Sequence, residues 1–213
     1  MKTERRPSAP APAPAPRIAE LFRLLHQRNR TPGERRRIDA EIQRRFRTTR
    51  AVLVLDMAGF SVSVQRHGIV HHLGLICHMR RRVHQHVTAA GGQTLKFEAD
   101  NALAVFRTVP AALRAALAIN RSFAEDNQSA AEENRIHASI GIGYGPVLLA
   151  RDDVFGDEVN LASKLGEDIA KSDEVLVTAS AHRRAGVRAG QFESLDISIA
   201  GIHLAAFRWQ PDA

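Results

Sequence analysis

The segment VLVLDMAGFS, residues 52–61, restricts the possible folds more than any other stretch of this chain. Four valines and leucines lead directly into Asp56, and Gly59 follows shortly after. Such a run predicts a buried β-strand that ends in a carboxylate and then turns. Because a buried, unpaired carboxylate is costly, we expect Asp56 to be hydrogen-bonded, paired with a cation or bound to a metal.

The pattern around this strand alternates between strand and helix. We predict a strand at 51–56, a helix over about 61–89, a hairpin of strands at 93–98 and 102–107, and a helix from near Pro110. We then predict strands at RIHASIGIG and PVLLA, joined by GIGYG (141–145) as a hairpin turn. A helix within 157–170, a strand at EVLVT, and strands near 192–199 and 202–209 are predicted to follow. This order indicates an α+β fold, a ferredoxin-like split βαβ sheet with helices on one face and added C-terminal strands. The other face would then be free to bind a ligand or a partner.

The first fifty residues differ from the rest in composition. Residues 1–16 contain a Pro/Ala-rich tract that predicts a disordered tail, and residues 17–50 predict a basic helical extension preceding a main domain at 51–213. Within the extension, TPGE at 31–34 predicts a capping box with Thr31 as N-cap. Residues 1–50 carry a net charge of +9, whereas residues 51–213 carry −2. A basic arm can contact nucleic acid or acidic lipid, but without interleaved aromatic residues a solvated helical surface is favoured.

Composition excludes several classes of protein. The chain has 213 residues, of which 44% are hydrophobic and 25% charged, as in a globular protein with a full core. No apolar run reaches the roughly 18 residues that a membrane span needs. The N-terminus lacks the apolar stretch of a secretory signal, and the single cysteine, Cys77, suits a reducing compartment. We therefore expect a cytoplasmic protein without a membrane span.

A second carboxylate belongs with Asp56. The predicted hairpin would bring Asp100, in KFEADNALAVF, to the end of the first strand. Two carboxylates at adjacent strand ends suit a hard divalent cation, with substrate phosphates supplying the remaining ligands. From the residues alone, a second interpretation stays open, in which Asp56 is a cap and Asp100 an ordinary turn residue.

Three segments together resemble a known family. LDMAGFS, LKFEADNALAVF and DVFGDEVNLASKL at 153–165 are similar to the catalytic domain of class III nucleotidyl cyclases. The resemblance covers about residues 51–209, and the motifs follow in the family's order and spacing. It implies conversion of ATP or GTP to the 3′,5′-cyclic nucleotide and pyrophosphate.

The resemblance implies a metal site and a phosphate site. Asp56 and Asp100 match the aspartates that hold two Mg²⁺ or Mn²⁺ ions per site. The backbone turn that cradles the triphosphate matches residues Met57, Ala58, Gly59, Phe60 and Ser61.

The resemblance also implies a preference for adenine. Lys96 and Asp153 match the pair that reads the base in adenylate-type members. A lysine donor and an aspartate acceptor complement N1 and the exocyclic amino group of adenine, whereas guanine reverses this pattern. We therefore expect ATP as the substrate.

The catalytic positions depart from the family pattern. Asn160 matches the asparagine that positions the ribose, but Lys164 stands where the family has an arginine that stabilises charge on the phosphates. Lysine keeps the charge and loses the planar fork. Ala200 stands near the place of a second cationic residue, and Ala99 replaces the glycine before the second aspartate. These departures predict a slow adenylate cyclase.

In this family the metal aspartates and the base-reading residues of one site come from different subunits. Because this chain carries both sets, we expect a homodimer with two shared active sites. The alternative is a catalytically weakened domain that acts as a nucleotide-binding or dimerising regulatory module. A third reading, with the basic arm as a nucleic-acid anchor, is the least favoured.

Overall fold

The structure is a computed structural model that describes residues 16–58, 67–186, 191–199 and 202–210. One mixed sheet contains the strands in the order β2-β3-β1-β4-β6-β8-β7, and the short strand β5 pairs with β4. The strands are β1 (Arg47–Met57), β2 (Gln93–Glu98), β3 (Asn101–Phe106), β4 (Ala138–Leu149), β5 (Val154–Phe155), β6 (Val175–Thr178), β7 (Phe192–Ile199) and β8 (Ile202–Trp209). The helices are α1 (Ile18–Arg30), α2 (Arg35–Phe46), α3 (Ile69–Ala89), α4 (Val109–Asn127), α5 (Asp157–Ser163) and α6 (Ala179–His182), and a π-helical turn, Lys164–Ile169, continues α5.

The central strand β1 has two buried faces. Successive side chains of a strand point to opposite sides, so Leu53 and Leu55 face one core and Val52 and Val54 face another. The first core is the larger one and contains the apolar faces of the long helices α3 and α4. The predicted α+β fold with its split βαβ core is confirmed, including the β2–β3 hairpin and the two added C-terminal strands.

The opposite face of the sheet is covered in part. Val159 and Ala162 of α5 pack there against Val52, Val54 and their neighbours on β3 and β4. The expectation of helices on one face therefore describes α3 and α4, while α5 lies across the sheet from them. The face that was expected to be free is therefore covered in part by α5.

The predicted hairpin turn at residues 141–145 is wrong. Strand β4 runs without interruption through GIGYG and pairs with β1 from Ala138 to Leu148. A Cβ at Gly141 would overlap the carbonyl oxygen of Ala162, and one at Gly143 would overlap that of Glu158. The glycines are therefore required by the close approach of α5 to β4, and they form no turn.

The two N-terminal helices form a small core of their own. Leu21 and Leu24 of α1 pack against Ile38, Ile42 and Phe46 of α2. The predicted capping box does not form, because the Thr31 hydroxyl donates to the carbonyl oxygen of Gln27 at 2.7 Å and so closes the end of α1. A 3₁₀ turn, Pro32–Glu34, then leads into α2.

Some predictions fall outside the described residues, namely residues 1–15 of the predicted tail and the first part of the helix predicted to start near residue 61. The division of the chain into three segments therefore stays a prediction. In the part of the chain that the structure describes, no helix has both the length and the apolar character required to cross a membrane.

Candidate active site

A row of polar residues crosses four strands at one end of the sheet. Asp56 lies opposite Asn101 of β3 and opposite Ser139 of β4, and Asn101 lies opposite Glu98 of β2. Directly opposed residues of antiparallel strands share a face. Since Asp56 follows Val54 by two positions, the whole row lies on the face that α5 partly covers. The apolar run of β1 thus delivers its carboxylate beside the open part of that face.

Asp100 lies close to Asp56, as predicted. It occupies the turn between β2 and β3, next to Asn101, and Ala99 before it has a φ of 46°. This left-handed conformation favours glycine, so the alanine at this position leaves the turn strained. The guanidinium of Arg80 donates to the carbonyl oxygen of Ala99 at 3.1 Å and helps to hold the turn.

Negative charge accumulates around Asp56. The pKa of Asp56 is raised to about 6. Burial is the largest cause, and the carboxylates of Asp100, Glu167 and Asp168 also contribute. Burial is also the first cause that raises the pKa of Glu167, followed by its acidic neighbours. Sequence reasoning missed Glu167 and Asp168, which follow α5 in a turn whose path over the sheet the residue pattern does not reveal.

These carboxylates suit a divalent cation. Among the described residues, no group of three histidine, cysteine, aspartate or glutamate side chains is close enough to enclose a metal ion. Asp56 and Asp100 form a two-carboxylate set, the kind that Mg²⁺ takes when phosphates complete its coordination. The like charge that raises the pKa of Asp56 is what a bound cation would offset. The residues present therefore fit the predicted metal ions.

The predicted phosphate turn is described only at its start. Met57 pairs with Ala138 of β4, and the amide of Ala58 donates to the carbonyl oxygen of His137 at 2.9 Å. The Ala58 amide is therefore engaged in the sheet in this structure. Residues 59–61, the rest of the predicted turn, lie outside the described residues.

The two residues predicted to read the base, Lys96 and Asp153, form an ion pair. Nζ of Lys96 lies 3.2 Å from Oδ2 of Asp153, although the two residues are far apart in sequence. Nζ also lies 3.0 Å from Oε1 of Glu98. Burial lowers the pKa of Lys96, but hydrogen bonds to Glu98 and Asp153 outweigh burial and the pKa is raised. Lys96 is therefore a fixed cation with two carboxylate partners.

The backbone next to Lys96 and Asp153 sets the direction of both side chains. The register of β2 against β3 shifts between Thr94 and Lys96, which is a bulge that re-aims the Lys96 side chain. Oδ1 of Asp153 accepts a hydrogen bond from the amide of Val154 at 2.8 Å, and the Asp153 side chain is 14% exposed. The Asp153 carboxylate is thus held at the start of β5 with one oxygen directed at Lys96.

Lys96 and Asp153 line a cavity of about 230 Å³ between the sheet and α5. Val54, Leu103 and Val154 supply apolar walls to this cavity. Asn101 also lines it, and Oδ1 of Asn101 is buried without a hydrogen-bond partner. Sequence reasoning missed Asn101 as a lining residue, although its position next to Asp100 in a hairpin paired with β1 was the available signal. At the polar end of this cavity, Lys96 can donate hydrogen bonds and Asp153 can accept them.

The two predicted catalytic residues follow one another along α5 and the π-helical turn. Asn160 is exposed, and Nζ of Lys164 lies 2.5 Å from Oδ2 of Asp168. Within the described part of the chain, no hydrogen bond or ion pair joins either residue to Asp56 or Asp100. Asp168, the ion-pair partner of Lys164, is one of the carboxylates that raise the pKa of Asp56. Ala200 lies outside the described residues.

A family of known proteins matches most of this chain. The family described as "Adenylate and Guanylate cyclase catalytic domain" matches residues 49–200. A protein of Rhizobium meliloti (strain 1021) named "Putative adenylate cyclase 3" is 26% identical over 132 residues, which are 62% of this chain and 22% of that protein. The chain thus spans about a fifth of that relative's length.

Solved structures share the fold. An adenylate/guanylate cyclase/hydrolase from Silicibacter pomeroyi is 31% identical, with a TM-score of 0.68 over 78% of this chain and 98% of that one. The adenylyl cyclase CyaB from P. aeruginosa is 17% identical, with a TM-score of 0.65 over 78% of this chain and 96% of that one. The guanylyl cyclase Cya2 is 18% identical, with a TM-score of 0.65 over 76% of this chain and 91% of that one. Both adenylyl and guanylyl cyclases are therefore among the similar folds.

Proposed function

Because this chain belongs to the family of adenylate and guanylate cyclase catalytic domains, we propose that it is an adenylate cyclase that converts ATP to 3′,5′-cyclic AMP and pyrophosphate. The observation that carries the choice of ATP is the pair of Lys96 and Asp153 in the cavity beside α5. Lys96 donates to N1 of adenine and Asp153 accepts from its exocyclic amino group. With guanine, Asp153 would face a carbonyl oxygen and Lys96 a ring N–H, and both contacts would be repulsive.

The reaction joins the ribose 3′-oxygen to the α-phosphorus and breaks the bond from that phosphorus to the oxygen of the leaving pyrophosphate. The 3′-hydroxyl loses its proton to solvent water in this step. Two Mg²⁺ or Mn²⁺ ions bound by Asp56 and Asp100 would activate the 3′-hydroxyl and neutralise the phosphates. Asn160 orients the ribose, and Lys164 offsets the charge that develops on the phosphates.

The proposed active site is shared between two copies of the chain. Support comes from the resemblance to the family, in which the metal aspartates and the base-reading residues of one site come from different subunits, because this chain carries residues of both kinds. In a two-fold symmetric dimer, the same surface of each copy completes both sites. A monomer would have neither.

The first experiment measures cyclic nucleotide formation by the purified chain with ATP and GTP in parallel, in Mg²⁺ and in Mn²⁺. We expect cyclic AMP from ATP, a much lower rate with GTP, and loss of the product in Asp56→Ala. Glu132→Gln removes an exposed carboxylate from a surface turn and is the matched control that keeps activity. Cyclic AMP formation that survives Asp56→Ala would refute the metal-site assignment.

A complementation experiment tests the shared site. Asp56→Asn and Lys96→Ala should each be inactive alone, because each inactivates both sites of its homodimer. Co-expressed at equal levels, they form heterodimers in half of the dimers, and one of the two sites in each is intact. We expect about a quarter of the wild-type specific activity. Mixed samples that stay inactive would contradict sites built between subunits.

One observation favours a second function. Lys164 is ion-paired with Asp168, which occupies the only cation proposed for the phosphates among the described residues. If Lys164 stays in this ion pair, the domain would bind ATP and act as a regulatory module without useful turnover. ATP binding without product in either metal would support this alternative over the cyclase.

A further inference from the structure

The helices α1 and α2 contact the loop that carries Asp153, although they precede the segment that matches the family. The amide of Arg151 donates to the carbonyl oxygen of Pro16 at 2.9 Å. The amide of Ile18, in the first turn of α1, donates to Oδ1 of Asp152 at 3.1 Å. Two residues directly before Asp153 are thus tied to the start of α1.

Apolar contacts join the same two parts of the chain. Ala150, at the start of the loop, is buried in the core that α1 and α2 form. The rings of Phe22 in α1 and Phe155 in β5 meet edge to face, with centroids 6.3 Å apart and planes at 76°. Phe155 also lines the cavity that Lys96 and Asp153 share. The contact from α1 therefore reaches a wall of the proposed base pocket.

The loop between these contacts is short and tightly bonded. The amide of Ala150 donates to the carbonyl oxygen of Asp153 at 2.8 Å, which closes the turn. The side chain of Gln93 donates to the carbonyl oxygen of Arg151 at 3.1 Å and ties the turn to β2, the strand of Lys96. A displacement of the loop would therefore move the Asp153 carboxylate relative to Nζ of Lys96.

We infer that α1 and α2 form a positioning element for base recognition, in which Phe22 and Asp152 hold the loop 150–155 so that Asp153 faces Lys96. This inference rests on the proposed function, because it assigns a role in adenine binding. Phe22 and Asp152 act through Asp153 and touch no substrate. Their loss should weaken adenine binding and leave the chemical step intact, since the metal aspartates and Lys164 lie on other elements.

The test uses full-length Phe22→Ala and Asp152→Ala. His26→Ala, which removes an exposed ring one helical turn further along α1, is the matched control. Asp152→Asn keeps the side-chain oxygen that accepts from Ile18 and should behave like the wild type. Hydrogen–deuterium exchange of the loop peptide, KM and kcat for ATP, and calorimetric binding of adenosine without metal are measured for each.

For the two alanine variants of the loop contact we expect faster exchange at 150–155, a KM about threefold to tenfold higher and kcat within about twofold of wild type. Adenosine binding should weaken by a similar factor. Unchanged exchange, or faster exchange with unchanged KM and adenosine binding, would overturn the inference. A fall in kcat alone would do so too, as would an Asp152→Asn variant that resembles Asp152→Ala.

Failure of the proposed function gives a different result. A wild-type chain that forms no cyclic AMP but binds adenosine refutes the cyclase, and the adenosine affinities of the variants still decide whether the helices position the loop. A wild-type chain that binds no adenosine refutes the positioning role as well, since nothing is then recognised at Asp153.

Discussion

Replacing Asp56 by asparagine should stabilise the metal-free protein at neutral pH. The pKa of Asp56 is raised, by burial first and then by Asp100, Glu167 and Asp168. The folded state therefore holds the Asp56 proton more tightly than the unfolded state does. As pH rises through the interval between the ordinary pKa of 3.8 and about 6, ionisation of Asp56 costs folding free energy, and the full cost is present above that interval.

The size of the effect follows from the same values. A rise from 3.8 to about 6 corresponds to about 3 kcal/mol if the whole shift is felt as stability. Asp56 is half-buried, so solvent screening reduces this to about 1–2 kcal/mol. For a chain of this length, that gain corresponds to a rise in Tm of about 2–8 °C.

The assay is thermal unfolding in EDTA between pH 4 and pH 8, comparing wild type with Asp56→Asn. We expect the difference in Tm to be small at pH 4 and to reach its full size near pH 7. Asp39→Asn is the matched control of opposite sign, because the hydrogen bond from Arg28 lowers the pKa of Asp39. Asp39→Asn should be less stable than wild type above pH 3.8, the ordinary pKa of aspartate. The difference in Tm between the two proteins should shrink as the pH falls below that value.

Two results would refute this reasoning. Asp56→Asn could show no gain at pH 8, which would mean that ionised Asp56 is not destabilised by its surroundings. The gain could also be the same at pH 4 and pH 8, which would mean that packing and not charge is responsible. Adding Mn²⁺ should raise the Tm of wild type and leave that of Asp56→Asn unchanged, since the cation offsets the charge that the variant no longer carries.

Further predictions concern the catalytic cation and two backbone positions. Asp168→Asn frees Lys164 from its ion pair, so kcat for cyclic AMP formation should rise about twofold to fivefold, and an unchanged or lower kcat would contradict the proposed role of Lys164. Ala99→Gly relieves a left-handed residue at φ 46°, and urea unfolding should show a gain of about 0.5 kcal/mol after the entropy of the unfolded glycine is counted; a loss of that size would show that the turn is not strained. Gly143→Ala places a methyl group against the carbonyl oxygen of Glu158, so the free energy of unfolding should fall by about 1–3 kcal/mol, and an unaffected protein would mean that α5 moves freely over β4.

Sequence patterns predicted the sheet because its strands are either alternating or continuously apolar, and its helices have clear apolar faces. The β2–β3 hairpin is short-range, so the approach of Asp100 to Asp56 followed from pairing alone. The contact between Lys96 and Asp153 did not follow from any local pattern. It depends on the path of the β4–β5 turn, and only the resemblance to a family predicted it.

Two failures have physical reasons. A run of glycines in a strand is compatible with a turn and with close backbone approach, and the residues alone do not distinguish these at 141–145. An apolar stripe on a helix shows that the helix packs but not against what. The sequence therefore did not predict that α1 packs beside Asp153. It also did not predict that Glu167 and Asp168 lie near Asp56.

The glycines of β4 also limit how the molecule can move. Where α5 crosses Gly141 and Gly143, the carbonyl oxygens of Ala162 and Glu158 lie directly against the main chain of β4, and a Cβ at either glycine would overlap them. Strand β4 and the helix that carries Asn160 therefore travel as one rigid block. Movement at the candidate site has to come from other elements or from the connecting segments at either end of the block, because the contact opposes sliding of α5 along the sheet.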